Sequence, residues 1–314
     1  MLIDGKWSTQ WYEPDEDGRF VRGQTRFRSS VSRCSSSEFP VESGRYHLYV
    51  SLACPWAHRT LLMRRLRKLE GVLGLSIVDP YMGEDGWCFS EMLPEPLYGA
   101  RCLRELYTRA QEDYTGRVTV PVLWDRKQET IVNNESREIM RMLDVEFAEY
   151  GDSSVSFLPT GKAKDVDTLI AAIYEPINNG VYRAGFATTQ TAYEEAVAEL
   201  FAALDHYDRR LGQQRYLLGN TITEADWCLF TTLFRFDPVY HYHFKCNQRR
   251  LRDYPNLWGY VCDLYQVPGV RETCNLEHIK RHYFCSHEGI NPQRIVPVGP
   301  EIDYDAPHER GRFE

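Results

Sequence analysis

The 314-residue chain carries 45 acidic against 37 basic side chains, a net charge of -8 at pH 7, and is 43% hydrophobic and 26% charged. That length suits about two domains with separate cores, and the acidic balance disfavours nucleic acid or an anionic membrane as partner. Nine cysteines, an odd number without a C-x-x-C pair, argue against a disulfide framework and against a zinc ribbon.

Residues 1–45 are rich in Arg, Ser and Gly with little periodicity, and read as an extension that wraps the first domain and carries no chemistry. No run reaches the ~18 apolar residues of a membrane span and the first twenty residues lack the blocks of a signal peptide, so a cytoplasmic protein with mostly reduced, buried cysteines is expected. Residues 46–52 (YHLYVSL) form a buried strand, Pro55 opens a helix in which apolar residues recur at helical spacing, and a strand near residues 73–78 completes a β-α-β unit. The basic run Arg64 to Lys68 reads as a solvated helix face. About 35 residues follow as a long insertion, of the length that is usually functional. Residues 117–125 and 129–133 read as a hairpin and residues 134–143 as a capped helix.

From residue 163 the pattern turns helical, with segments at 163–178, 190–211, 223–239, 257–265 and 277–283, and with Thr223 and Asp226 forming a capping box. The predicted architecture is therefore α/β plus all-α. It comprises an extension (1–45), an α/β domain of thioredoxin-like order (46–150), a helical domain (160–283) and an irregular tail (284–314).

Cys54 lies between the first strand and its helix, where unpaired N–H groups and the helix dipole favour an anion. A free thiol of pKa about 8.5 is only a few per cent ionised at neutral pH, and a helix N-terminus with basic neighbours lowers that value. Cys54 is thus expected to be a thiolate nucleophile rather than a buried structural cysteine. Ala57 stands where a dithiol protein has its second cysteine, so a mixed disulfide on Cys54 needs an external thiol to resolve it. His58 reads as a structural hydrogen-bonding residue or as a proton carrier.

Val120-Pro121 stands where a thioredoxin-like unit places a cis proline beside its thiol; the residue before it can pair with an extended peptide as a strand would. Glu135 and Ser136 open the next helix, where N–H groups and a hydroxyl suit a carboxylate and Glu135 suits an ammonium group. Alone that pair is a helix cap. With Cys54 and Val120-Pro121 it matches a γ-glutamyl end.

The segments YHLYVSLACPWAHRTL, RVTVPVLWD, IVNNESREI, NNGVYRAGFA, TEADWCLFTTLFRFDPVY and HIKRHYF resemble the Xi class of glutathione transferases, the glutathionyl-hydroquinone reductases. The resemblance covers nearly the whole chain. It implies a thioredoxin-like domain followed by a helical bundle of glutathione transferase type, and reduction of glutathionyl-hydroquinones or quinones by glutathione. It also implies no metal and a homodimer formed through the helical domain. By the same resemblance Cys54 is the nucleophile, Tyr182 the proton donor and acceptor, and Tyr240 and Tyr283 line the site. Trp87, Arg117, Val118, Thr119, Val120 and Pro121, with Glu135 and Ser136, bind glutathione. Pro238 and the aromatic HYHF run depart from the family pattern and bear on the shape of the aromatic pocket.

Three other readings stay open. An Omega-like thiol transferase or dehydroascorbate reductase would share Cys54 without needing the tyrosines, and a non-catalytic module would need neither. A metal site would use His241, His243 and Cys246, or His278, His282 and Cys285, although no H-E-x-x-H or zinc-finger spacing supports it.

Overall fold

The computed structural model of the chain describes residues 1–313. A small hairpin, β1 (Leu2–Ile3) with β2 (Lys6–Trp7), opens it, in a segment whose pattern suggested no regular element. β3 (Tyr46–Val50) leads into α1 (Pro55–Leu66) and β4 (Gly74–Ile77). After the insertion, which contains α2 (Arg104–Ala110), come β5 (Val122–Asp125), β6 (Thr130–Asn133) and α3 (Ser136–Val145). The sheet order is β4-β3-β5-β6, with β3 parallel to β4 and the other pairs antiparallel. β3 and β5 are central and wholly buried, which explains runs that do not alternate apolar with polar.

The helical half follows as α4 (Ala163–Ile173), α5 (Gly180–Gly185), α6 (Gln190–Leu211) and α7 (Glu224–Leu233). It ends with α8 (His241–His243), α9 (Pro255–Tyr265) and α10 (Leu276–Ser286). Two π-helical turns, Tyr174–Asn178 after α4 and Phe236–Tyr240 after α7, stand beside the residues expected to carry chemistry, where such turns often occur. The capping box forms as read: the Thr223 N–H donates to Asp226 at 2.8 Å. Beyond α10 the backbone is irregular yet seated. Tyr304 donates its hydroxyl to the Phe234 carbonyl at 2.8 Å, and buried Arg310 holds the Leu211 and Gln214 carbonyls.

α1 is buried on nearly every side because it packs against α3 on one face and α7 on another. Its Leu61, Leu62 and Met63 each contribute roughly 1.5–3 kcal/mol by leaving water. Arg141 of α3 pairs with Glu224 at the start of α7, Nε to Oε2 3.0 Å, with the acid fully buried. Removing Arg141 would strand the buried Glu224 carboxylate, at about 3–5 kcal/mol, whereas Arg141 without Glu224 keeps Asp167 at 2.7 Å.

The cysteines depart from expectation. Cys88 and Cys102 form a disulfide across an isolated antiparallel bridge inside the insertion. Only the fold of the insertion brings them together; a separation of fourteen residues carries no signal of its own. Of the free cysteines Cys228, Cys246 and Cys262 are buried, Cys34 is exposed, and Cys54, Cys274 and Cys285 are half-buried.

Candidate functional site

A cavity of about 740 Å³ opens between the sheet and the helical half. Cys54 and Trp56 reach it from the start of α1, Val118, Thr119 and Val120 from the loop before β5, Trp87 from the insertion, and Tyr182 and Tyr283 from α5 and α10. Residues distant in the chain thus meet around one sulfur.

Cys54 keeps an extended backbone (φ -76°, ψ 123°) and Pro55 takes the first helical position, where its missing N–H costs nothing. Val120-Pro121 is cis. The thiol lies 3.7 Å from the Val120 carbonyl, to which it donates. The Val120 N–H has no partner among the described residues, so that edge can take an extended peptide. The expected thiolate is corrected here: burial pushes the Cys54 thiol above its ordinary range, outweighing the N–H groups of Ala57 and Trp56 and the charges of Arg235 and Arg22. The helix start favours the anion, and burial of the sulfur disfavours it more.

Tyr182 and Tyr283 share a hydroxyl hydrogen bond of 2.6 Å, and Tyr283 meets Tyr240 at 3.0 Å. Burial raises all three phenols, so each remains protonated at neutral pH and able to donate. Tyr240 is fully buried behind Tyr283 and does not reach the cavity.

The extension, read as carrying no chemistry, forms a wall of the site. Trp11, Phe20 and Arg22 line the cavity. The Arg22 guanidinium lies 4.7 Å from the Tyr182 ring centre and 5.0 Å from that of Trp56, while its Nε donates to Asn179 at 3.0 Å. The signal available was the aromatic content of an otherwise polar, aperiodic segment. Arg117 serves this wall, donating to the Gln10 and Trp11 carbonyls at 2.5 Å each. Gly86, at φ +75°, turns the chain before Trp87 where a Cβ would stand 2.8 Å from the Trp7 ring. Trp87 itself stacks on His282, ring centres 4.6 Å apart.

Glu135, Ser136 and Pro121 lie outside the cavity lining. Glu135 caps α3, accepting from the Arg137 N–H at 3.3 Å and from Thr25 at 3.4 Å, and buried Ser136 accepts from Arg59 at 3.4 Å. His58 is fully buried between Thr273 and Arg235 and has no opening to the cavity. His243 meets His287 at 3.1 Å, and His282 turns to the Pro80 carbonyl. Among the described residues no group of three or more His, Cys, Asp or Glu side chains is placed to hold a metal ion.

Family models describe both halves: the glutathione S-transferase N-terminal domain matches residues 53–146 and the C-terminal domain residues 190–261. The chain is 49% identical to the glutathionyl-hydroquinone reductase YqjG of Escherichia coli, covering 99% of this chain and 98% of that one. It is 48% identical to the glutathionyl-hydroquinone reductase PcpF of Sphingobium chlorophenolicum, covering 96% of each. Among solved structures, a Xi class transferase from Natrialba magadii superposes with a TM-score of 0.94 at 53% identity, covering 100% of this chain and 97% of that one. The glutathione-bound structure of YqjG gives 0.91 at 47%, covering 99% and 98%.

Proposed function

The chain belongs to the Xi class of glutathione transferases, and from that premise we propose that it is a glutathionyl-hydroquinone reductase, in which one cavity presents the Cys54 thiol and the Tyr182–Tyr283 hydroxyl pair. That juxtaposition carries the reading. Glutathione is its substrate and reductant.

The aryl C–S bond of the substrate resists cleavage because a bare ring carbanion is a poor leaving group. A phenol that protonates the sulfur-bearing carbon and takes up the ring hydroxyl's proton, the role this reading gives to Tyr182, shifts the ring to its keto tautomer. The Cys54 thiolate then attacks the glutathionyl sulfur. An S–S bond forms, the C–S bond breaks, and its electron pair leaves as an enolate that takes a proton on oxygen to become hydroquinone. A second glutathione, as thiolate, attacks the mixed disulfide, releasing glutathione disulfide and restoring Cys54. In sum, one glutathionyl-hydroquinone and one glutathione yield hydroquinone and glutathione disulfide.

In this reading the Val120 N–H and C=O pair with the glutathione backbone beside the cis Pro121, and Trp87, Val118 and Thr119 border it. Glu135 and Ser136, outside the cavity lining at the start of α3, are assigned its γ-glutamyl end on the family resemblance. Arg117 acts by holding residues 10 and 11 in place. The reading also makes the enzyme a cytoplasmic homodimer; no helix among the described residues is long and apolar enough to cross a membrane, and sedimentation would measure the assembly.

The test is to incubate a glutathionyl-hydroquinone with glutathione and measure hydroquinone and glutathione disulfide for the wild type, Cys54→Ser and Tyr182→Phe. Both variants are expected to lose turnover. Full activity in Cys54→Ser overturns the mechanism, full activity in Tyr182→Phe removes Tyr182 from the proton-donor role, and a wild type that reduces mixed disulfides or dehydroascorbate but no glutathionyl-hydroquinone is an Omega-like thiol transferase.

A further inference from the structure

Arg235 follows α7 and is fully buried. Its Nε donates to the Ala53 carbonyl at 2.8 Å and one Nη to the Leu52 carbonyl at 3.1 Å. The other Nη donates to the Thr231 carbonyl at 2.7 Å and to His58 Nδ1 at 3.0 Å. A guanidinium cannot accept, so His58 Nδ1 offers its lone pair and the ring proton sits on Nε2, donated to Thr273 at 2.8 Å. Burial and the adjacent guanidinium keep that imidazole neutral.

Every partner of Arg235 is therefore uncharged. Arg45 faces Asp125 and Arg141 faces Glu224, but no acid lies within ion-pair distance of Arg235 among the described residues. Asp237, two residues on, is turned to the N–H groups of Leu251 and Arg252. Arg59 and Arg310 also bind only neutral groups; Arg235 differs in gripping the two carbonyls that lead into Cys54. A buried cation without an anion is costly, and one this close to a nucleophile has an evident use.

We propose that Arg235 is a positioning residue for the nucleophile: it fixes the Leu52–Ala53 turn and supplies the buried positive charge against which Cys54 ionises. The proposal rests on the reading of Cys54 as nucleophile. The other groups that feel this charge are Tyr240, Tyr283, Tyr304, Cys274 and His282. Burial holds the phenols and Cys274 protonated and His282 neutral, so none supplies the missing anion. Cys54 in turn faces Arg22 and the hydroxyl of Tyr182 from the other walls. The charge of Arg235 opposes the burial that keeps the Cys54 thiol protonated.

The test follows alkylation of the Cys54-containing peptide by iodoacetamide across pH, read by mass spectrometry, in wild type, Arg235→Met and Arg235→Lys. The expected result is a midpoint at least one pH unit higher in Arg235→Met, hence about tenfold slower alkylation below it, with most of the rate recovered in Arg235→Lys. Glutathione affinity, read by tryptophan fluorescence, stays within about twofold because Arg235 does not line the cavity. A folded Arg235→Met with the wild-type midpoint overturns the proposal, as does a Lys variant no better than Met. Should Arg235→Met not fold, Cys54→Asp is compared with Cys54→Asn in the presence of Arg235. The two side chains cap helices about equally, so an Asp variant that melts higher above pH 6 supports a charge awaiting an anion, and an Asn variant that melts as high or higher overturns it. None of these readouts needs turnover, so they fail separately from the proposed activity.

Discussion

The phenolic oxygens of Tyr182 and Tyr283 stand 2.6 Å apart although 101 residues separate them in the chain. Tyr182 faces the cavity, Tyr283 holds two hydroxyl partners, and Tyr240 is sealed behind. Tyr283→Phe breaks both bonds and leaves two buried hydroxyls short of a partner. Turnover of a glutathionyl-hydroquinone should fall about 100-fold or more, and unfolding free energy by about 1–3 kcal/mol. Tyr240→Phe removes a hydroxyl that lies behind Tyr283 and outside the cavity lining, and should cost about tenfold or less. Equal losses in steady-state assays of the two would show that this ordering is wrong.

Arg22 spreads its charge over the rings of Tyr182 and Trp56. Such contacts are worth about 0.5–2 kcal/mol, so Arg22→Met should lower kcat/KM for the aryl substrate by about 2- to 30-fold. The unfolding midpoint should barely move, since Arg22 is half-buried and donates one side-chain hydrogen bond, to Asn179. An unchanged kcat/KM would remove this guanidinium from the site.

The proposed mechanism uses the deprotonated form of Cys54, and burial raises its thiol. In the free enzyme kcat/KM should therefore climb with pH past neutrality, together with the alkylation rate of the same residue. A plateau already reached by pH 7 contradicts the assignment.

His47, His243 and His282 are buried, and burial brings each down to about 4. The unfolded chain takes up these protons near pH 6.5 while the folded one refuses them. Stability should fall as pH drops from about 6.5 to 4, by up to about 3 kcal/mol per histidine. Denaturant titrations of wild type and His282→Gln should show a shallower decline in the variant; identical slopes would mean that His282 protonates without loss of the fold.

Where local rules and tertiary packing agree, residues announced their roles. Cys54 before Pro55, and Thr223 three positions before Asp226, are helix starts that any chain with those neighbours would favour. α6 was legible from end to end because its apolar stripe is long and regular. Tyr182 was not: α5 has six residues with glycine at both ends, too few for a period, and its position came from family resemblance alone. Arg22 and Arg235 gain their meaning from partners more than a hundred residues away, and no local pattern encodes which groups will surround a charge. Cys88 and Cys102 are only fourteen residues apart, yet they too are joined by the fold of the insertion and not by any local pattern. The upward push on the Cys54 thiol was not legible for a related reason, since a helix cap is visible in six residues whereas the burial around a sulfur is assembled from the entire chain.

The wall built by residues 7–22 also bears on how the molecule comes into being. Its seats lie far downstream: the Thr188 N–H donates to the Gly18 carbonyl, Arg19 pairs with Glu195, and Trp11 meets the rings of Phe186 and His287. On a ribosome this stretch emerges ahead of what it binds: Trp7 can be covered once residues 84–104 are made, Phe20 only after Tyr182 and Phe186, and Trp11 gains His287 only near the end of synthesis.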